Sequence, residues 1–391
     1  MAANTLDFNQ ISTILNAIVS QATGKTAITP TNTSEFVTVA QTGLKTGYDN
    51  LIQAVSQVLS RTIFSNRPYT RKFKGLEADA VTYGNHVRKI NIADKDAEDD
   101  SRLPLTDGAS VDQQVVSKPK IVQTNFYGSN AYQRHYTIFK DQLDVAFRGP
   151  DELAQFVAMV IGNCSDMIEQ DHENMARFTL DNFIAGVQAG GNTVQVVHLL
   201  TEYNAQTGLT LTAKNVYAPE NYSAFMKWVF ARMAAVSSML TERSVVYHTN
   251  FTDVKLSRHT PEADQRVFIL AGNRFGTESR VLADTYHDNY LKMAVNEYVN
   301  FWQSITTPDE IKVTPTYMKP DGTLVSPEAA VDMKNVFGVI ADREALGYTV
   351  VNQWSGTSPF NQRGGYQNVW FHFTDRYWND FTENGVIFLL D

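Results

Sequence analysis

PDELAQFVAMVIGNCSDMIEQDHENMARFTLDNFIAGVQ, residues 150–188, is the stretch whose reading decides the fold. Pro150 stands where proline is tolerated at a helix start, and Asp151 and Glu152 put negative charge into the positive first turn. No further proline follows before Gly190 and Gly191, which read as the stop. One helix over this span would run roughly 57 Å, several times the usual length. Leu153, Phe156, Val157, Val160, Ile161, Cys164, Met167, Ile168, Met175 and Phe178 fall on one stripe, with Gln155, Asp166, Gln170, Glu173 and Arg177 opposite. Asp171 and Asn182 land inside the stripe, and beyond about Thr179 the apolar positions move to another side, predicting a change of packing partner near Asp181. The expected object is a long rod with one face on a sheet and the other in solvent or against a neighbour.

Working outward, 391 residues with 43% hydrophobic and 19% charged content can build a sizeable core in two or three domains or one elaborated one. The formal net charge of −9 argues against a protein that grips DNA by its phosphates, though not against one that encloses nucleic acid. The single cysteine, Cys164, reads as a small apolar residue on the helix face and cannot make an intrachain disulfide. No signal peptide and no run of eighteen apolar residues is visible, so a soluble chain made in the cytoplasm is expected.

Before the long helix, residues 7–21 and 46–63 read as amphipathic helices joined by a threonine-rich strap, ATGKTAITPTNTSEFVTV, too polar for a core and expected to lie extended. Arg61, Arg67, Arg71, Lys72 and Lys74 make a basic run, either a solvated strip or a contact for an acidic neighbour or an enclosed polyanion. Residues 80–123 read as two β-type runs flanking an acidic, turn-rich excursion that holds Asp94, Asp96, Glu98, Asp99 and Asp100. A hairpin so long and so poor in apolar residues cannot support itself in water and must lie on another surface, expected to be another copy. Residues 125–143 give a strand with alternating aromatics. After Gly191 come a strand-like TVQVVHLL, a helix from Pro219 to about Glu242, the segments SVVYHTN and VFILAG, a helix around 288–301 and the strand EIKVTPTY, which together describe an α/β lobe over 205–335. The aromatic C-terminal part ends in NGVIFLL, apolar enough to be a central strand.

Chemistry is silent. There is no phosphate-binding G-x-x-x-x-G-K-[ST], no G-x-S-x-G and no H-E-x-x-H, since His172-Glu173 is followed by Ala176 where the second histidine should stand. The eight histidines are scattered, and DKDAEDD (94–100) lacks the glycine and terminal glutamate of a calcium loop. Asp171 reads as a carboxylate held by a neighbouring Arg or Lys. No catalytic residue, cofactor site or metal site is assigned.

The order of arm, unsupported hairpin, long helix, inserted lobe and strand-rich return resembles the major capsid protein of tailed bacteriophages, the Hong Kong 97-like coat fold, and among these the coats of small short-tailed phages. The closest local likenesses are the helix leading into SVVYHTN and VFGVIADREALG before a long aromatic strand with Arg376 and the terminal NGVIFLL. The resemblance implies an α+β fold with an N-terminal arm (1–75), an E-loop hairpin (76–125), a peripheral P domain with the spine helix (126–204), an axial A domain (205–335) and a return to the P domain (336–391). It implies self-assembly of many copies, as pentamers and hexamers, into an icosahedral virion shell. That shell would enclose double-stranded DNA without reading its sequence, with scaffold and portal proteins as further partners and no membrane. Arg67, Arg71, Lys72 and Lys74 would then face acids such as Asp94, Asp96, Glu98, Asp99 and Asp100 of neighbouring subunits. The rivals are a phage tail-tube or sheath subunit and an enzyme whose site is made by distant residues.

Overall fold

A computed structural model of the chain describes residues 8–24, 29–45, 50, 54, 71–78, 87–157, 163–272 and 297–391. Apart from Asn50 and Ala54, which are helical, the expected helix at 46–63 lies outside them, as do Arg61, the first strand residues at 80–86, the middle of the long helix at 158–162, the side chain of Cys164 and the expected helix over 288–296.

In chain order the elements are α1 (Phe8–Thr23), α2 (Thr33–Leu44), β1 (Val87–Ile92), β2 (Ile121–Phe126), β3 (Ser129–Phe139), α3 (Lys140–Ala146), α4 (Pro150–Val157), α5 (Asn163–Gly190), β4 (Val196–His198), α6 (Leu199–Thr207) and α7 (Pro219–Leu240). Strands then dominate: β5 (Gln265–Leu270), β6 (Glu297–Val299), β7 (Ile311–Val313), β8 (Tyr317–Met318), β9 (Leu324–Val325), β10 (Val331–Met333), β11 (Val336–Asp342), β12 (Leu346–Thr357), β13 (Tyr366–Asn379) and β14 (Gly385–Leu389). The chain packs as two units, one from Met1–Lys74, Ser129–Asn174 and Val350–Arg376, the other from Gly75–Gly128, Met175–Thr349 and Tyr377–Asp391.

In the first unit the apolar spacing of α1 buries Ile11, Leu15, Ile18 and Val19 against Phe36 and Ala40 of α2, Leu143 of α3 and Leu153 and Phe156 of α4. Ile138 of β3 and Val369 of β13 complete this core from the sheet β12-β13-β3. From Thr33 on, the threonine-rich strap is helical and not extended. Asn32 caps α2, its side chain accepting from the Glu35 amide at 2.9 Å, while Glu35 reaches back to accept from the Thr31 amide and hydroxyl at 2.9 and 2.8 Å. Its threonines return their hydroxyls to carbonyls one turn back, as Thr38 does to Ser34 and Thr42 to Thr38. Phe36 is then fully buried. The expected first helix, α1, and α2, which falls within the expected strap, both belong to a packed core.

In the second unit a five-stranded sheet runs β4-β14-β11-β5-β6, with β14 and β5 antiparallel to β11 and parallel pairs at each edge. All residues of β11 and β14 are buried, the physical reason for their unbroken apolar runs. The last strand is central, as its composition predicts. The sheet takes strands from both sides of residue 335. On one face α7 packs Phe225, Val229, Met233, Val236 and Leu240 against Val267, Ile269, Ile340 and Phe388. The expected helix around 288–301 is corrected at its described end: Glu297–Val299 is strand β6, drawn into register by β5. SVVYHTN is no strand either; His248 is buried and its Nε2 lies 2.7 Å from the Leu256 carbonyl, while the Tyr247 carbonyl accepts from the Gly385 amide at 2.9 Å.

α4 begins at Pro150 and α5 ends at Gly190 as the spacing predicts, with Gly191 at φ +72 past the last turn. Its faces do not follow the expected stripe. Phe178 is exposed, whereas Glu173 and Arg177 are buried. Arg177 lies 4.0 Å over the Phe301 ring and donates to the Phe301 carbonyl. Burial also holds the Asp181 carboxyl up at about 7, despite the opposing pull of Arg177, and its Oδ1 makes no hydrogen bond. A carboxyl raised in the folded state contributes stability that is present below its unfolded value near 4 and lost as pH rises towards 7, on the order of 4 kcal/mol. Asp181→Asn is therefore expected to flatten that dependence and to raise the melting temperature at pH 8. Calorimetry across the range checks it, and an unchanged pH profile contradicts it.

Phe183 of α5 stacks on Phe381 with centroids 5.5 Å apart. A Cβ on Gly385 would come 2.6 Å from the Phe183 ring, and one on Gly186 would come 2.5 Å from Phe381. Gly385→Ala is expected to cost about 1–3 kcal/mol through overpacking, read as a lower urea midpoint.

Candidate assembly surfaces

β1 and β2 pair antiparallel from Val87↔Phe126 to Ile92↔Ile121 and carry between them the long acidic excursion. Successive side chains alternate sides. Lys89 and Asn91 turn into the second unit, and Asn91 is buried. Ile90, Ile92 and Ile121 lie on the opposite side and are exposed. Further out Leu103 is 86% exposed, Val115 74% and Val116 78%. Residues 111–120 form no ladder, so the second β-type run shortens to β2. So many exposed large apolar side chains in one segment are uncommon on a surface left in water.

The root of this ribbon is held firmly. Lys89 Nζ lies 2.5 Å from Glu383, 3.0 Å from Glu344 and 3.1 Å from Asp380. Burial alone would lower the lysine pKa; Asp380 and Glu383 more than reverse it, and the ammonium is held above its ordinary value. Arg258 adds a second cation 3.1 Å from Glu383.

The acidic candidates divide. Asp94 is bound within its own subunit: its carboxylate accepts from the Ser257 amide at 2.7 Å and from Arg243, and Ser257 foremost holds its pKa below the usual carboxylate range. Glu98 pairs with Lys95 at 2.7 Å and Asp100 with Arg102, and these partners lower both carboxyls. Asp96 stands 4.0 Å from Lys255 and is 91% exposed; Asp99 is exposed.

The basic run divides as well. Arg67 and the side chain of Lys74 lie outside the described residues, and Lys72 is exposed. Arg71 is consumed internally, donating to His172 Nδ1 at 2.7 Å and standing 3.6 Å from Glu169. Burial, with Arg71 adding to it, pushes His172 down to about 4, so the ring is neutral, and its Nε2 lies 3.7 Å from buried Asp375. Tyr132 donates to the same carboxylate at 2.8 Å. Asp171 is held by Arg134 through two bonds of 2.7 Å, the bland role expected of it. Sequence reasoning missed Lys89 and its three carboxylates altogether. The only local signal is a lysine on the inward parity of a strand.

Among the described residues no group of three His, Cys, Asp or Glu side chains could hold a metal ion, and no helix is long and apolar enough to cross a membrane. The sequence profile described as Phi29-like phage major capsid protein matches residues 15–389. The capsid structure of Staphylococcus phage Andhra is similar at a TM-score of 0.53 and 11% identity, over 85% of this chain and 87% of that one. A structure of native bacteriophage P68, described by its head fiber and inner core protein gp22, is similar to the same degree, with the same 11% identity and coverage. At that identity the likeness speaks for the fold, which is the Hong Kong 97-like α+β coat fold. No curated protein sequence matches. Because the profile spans almost the whole sequence, and because it favours a coat over a tail-tube subunit or an enzyme, the chain belongs to the Phi29-like phage major capsid protein family and is a structural component of a phage virion.

Proposed function

We propose that this coat protein builds an icosahedral head around double-stranded DNA from rings of five and six copies, using the ribbon over 76–125 as an E-loop laid across an adjacent subunit. Residues 126–204 and 336–391 act as the P domain and 205–335 as the A domain, with residues 1–75 as the arm. The observation that carries this reading is the ribbon's row of exposed Ile90, Ile92, Ile121, Leu103, Val115 and Val116, too apolar to be left in water. Head-to-tail contacts of one surface with a different one close into rings, and modest contacts repeated many times hold a shell by avidity. The negative balance of the chain suits a wall that encloses DNA without holding it, with scaffold and portal proteins taking part. The protein is synthesised in the host cytoplasm. Negative-stain microscopy of the purified protein tests this. Closed shells and five- or six-membered rings are the expected result; tubes, or particles that stay monomeric at any concentration, contradict it.

A further inference from the structure

The second unit contains a solvent-connected cleft of about 890 Å³ beside the ribbon's root, lined in part by Arg88, Arg258, Arg266 and Arg343. Arg266 rises from β5 with its Nη1 buried and without a hydrogen-bond partner. Arg343, exposed on the turn after β11, lines the same cleft; burial first, then Arg343, lower the Arg266 pKa, with Asp342 opposing them. The carboxylates nearby are already engaged. Asp342 accepts from the Thr260 hydroxyl at 2.6 Å and the Glu344 amide at 2.8 Å, and Asp380 and Glu383 answer Lys89. Arg266 and Arg343 thus line one cleft, and although Asp342 attracts Arg266, the buried Nη1 is left without an acceptor, which is costly.

The geometry points to an oxyanion seat at Arg266 and Arg343 that a second copy of this chain fills with a carboxylate of its exposed hairpin segment, Asp99 foremost. Charge complementarity selects the occupant. In that segment Glu98 and Asp100 have their own cations at close range, whereas exposed Asp99 has none assigned and Asp96 only a distant lysine. A DNA backbone is a poorer fit. Asp264, Asp342, Glu344, Asp380 and Glu383 line the same cleft and would repel a line of phosphates, while one carboxylate on a thin ribbon can enter between them. Arg suits the task because its planar fork takes both oxygens of a carboxylate.

The inference rests on the self-assembly reading above, and its test separates the two. Arg343 is exposed, so Arg343→Glu is expected to give a subunit that melts as the wild type does, yet with shell yield by sedimentation reduced by about tenfold or more. Asp99→Arg is expected to do the same, and the double variant to recover most of the yield. Wild-type yield from either single variant, or a double variant no better than the worse single one, overturns the seat. Arg343→Glu shells that form normally but package less DNA would assign the cleft to nucleic acid and overturn it as well. If removal of residues 96–109 blocks assembly while these exchanges do not, the ribbon's role stands and the seat alone fails.

Discussion

Removing residues 96–109 and joining the ends with a short turn is expected to abolish shells while leaving the subunit's melting temperature unchanged. The excised segment makes local turns, such as the Leu103 amide to the Asp100 carbonyl and Ala109 to Thr106, and ion pairs within itself. Among the described residues its ion pair to the body is Asp96 to Lys255 at 4.0 Å, between highly exposed groups. A pair so exposed is worth little. Asp94, which anchors the ribbon through the Ser257 amide and Arg243, is retained, as is Lys120, which donates to the Asp253 carbonyl at 3.2 Å. A shorter loop costs slightly less entropy to close, so subunit stability should not fall. Assembly is different. Every copy loses the same contact, and a loss of only 1.4 kcal/mol is about tenfold at each interface before avidity multiplies it. Circular dichroism melting and negative-stain microscopy of one preparation give both readouts. Normal shells from the shortened chain would remove the ribbon from the assembly mechanism.

Lys89→Met is expected to be the most damaging single substitution in the subunit, costing about 3–5 kcal/mol at neutral pH, because it leaves a buried group of carboxylates uncompensated. Asp380 is 1% exposed and Glu383 6%, and Arg258 remains to answer only part of their charge. Burial already raises the Glu383 carboxyl against the pull of Lys89, and in the variant it would rise further. Stability would then be regained as pH falls and lost again as it rises, so the gap to wild type should narrow on acidification. Denaturant melts at several pH values measure it; a gap that stays constant would mean that the lysine stem's packing, not its charge, was lost. Since Lys89 fixes the ribbon's root, shell yield should fall with it even where the subunit remains folded.

Much of the architecture could be read from residue order. The stripe of Phe225, Val229, Met233, Val236 and Leu240 is the face that α7 buries, and the apolar run ending the chain is the central strand it predicts. What misled was partners supplied from far away. Arg177 looked like a solvent residue because nothing near it in sequence reveals the Phe301 carbonyl and ring, 124 positions on, that receive it. Phe178 looked buried for the same reason, yet meets Tyr377 edge-on at a half-open surface. The threonine strap concealed a helix because composition outweighed a cap, N-T-S-E, that was present in the letters. Glu297–Val299 is a strand only because β5 lies beside it. Of the charged candidates, sequence could name Asp94 and Arg71 but not that each is satisfied within its own chain, since Ser257, Arg243 and His172 are brought near only by folding.

The polypeptide alternates between its two packing units, changing from one to the other five times. Neither unit is a contiguous gene fragment, so no single truncation or exchange of termini isolates one, and chimaeras cut at one point between two related coats would join halves of both cores.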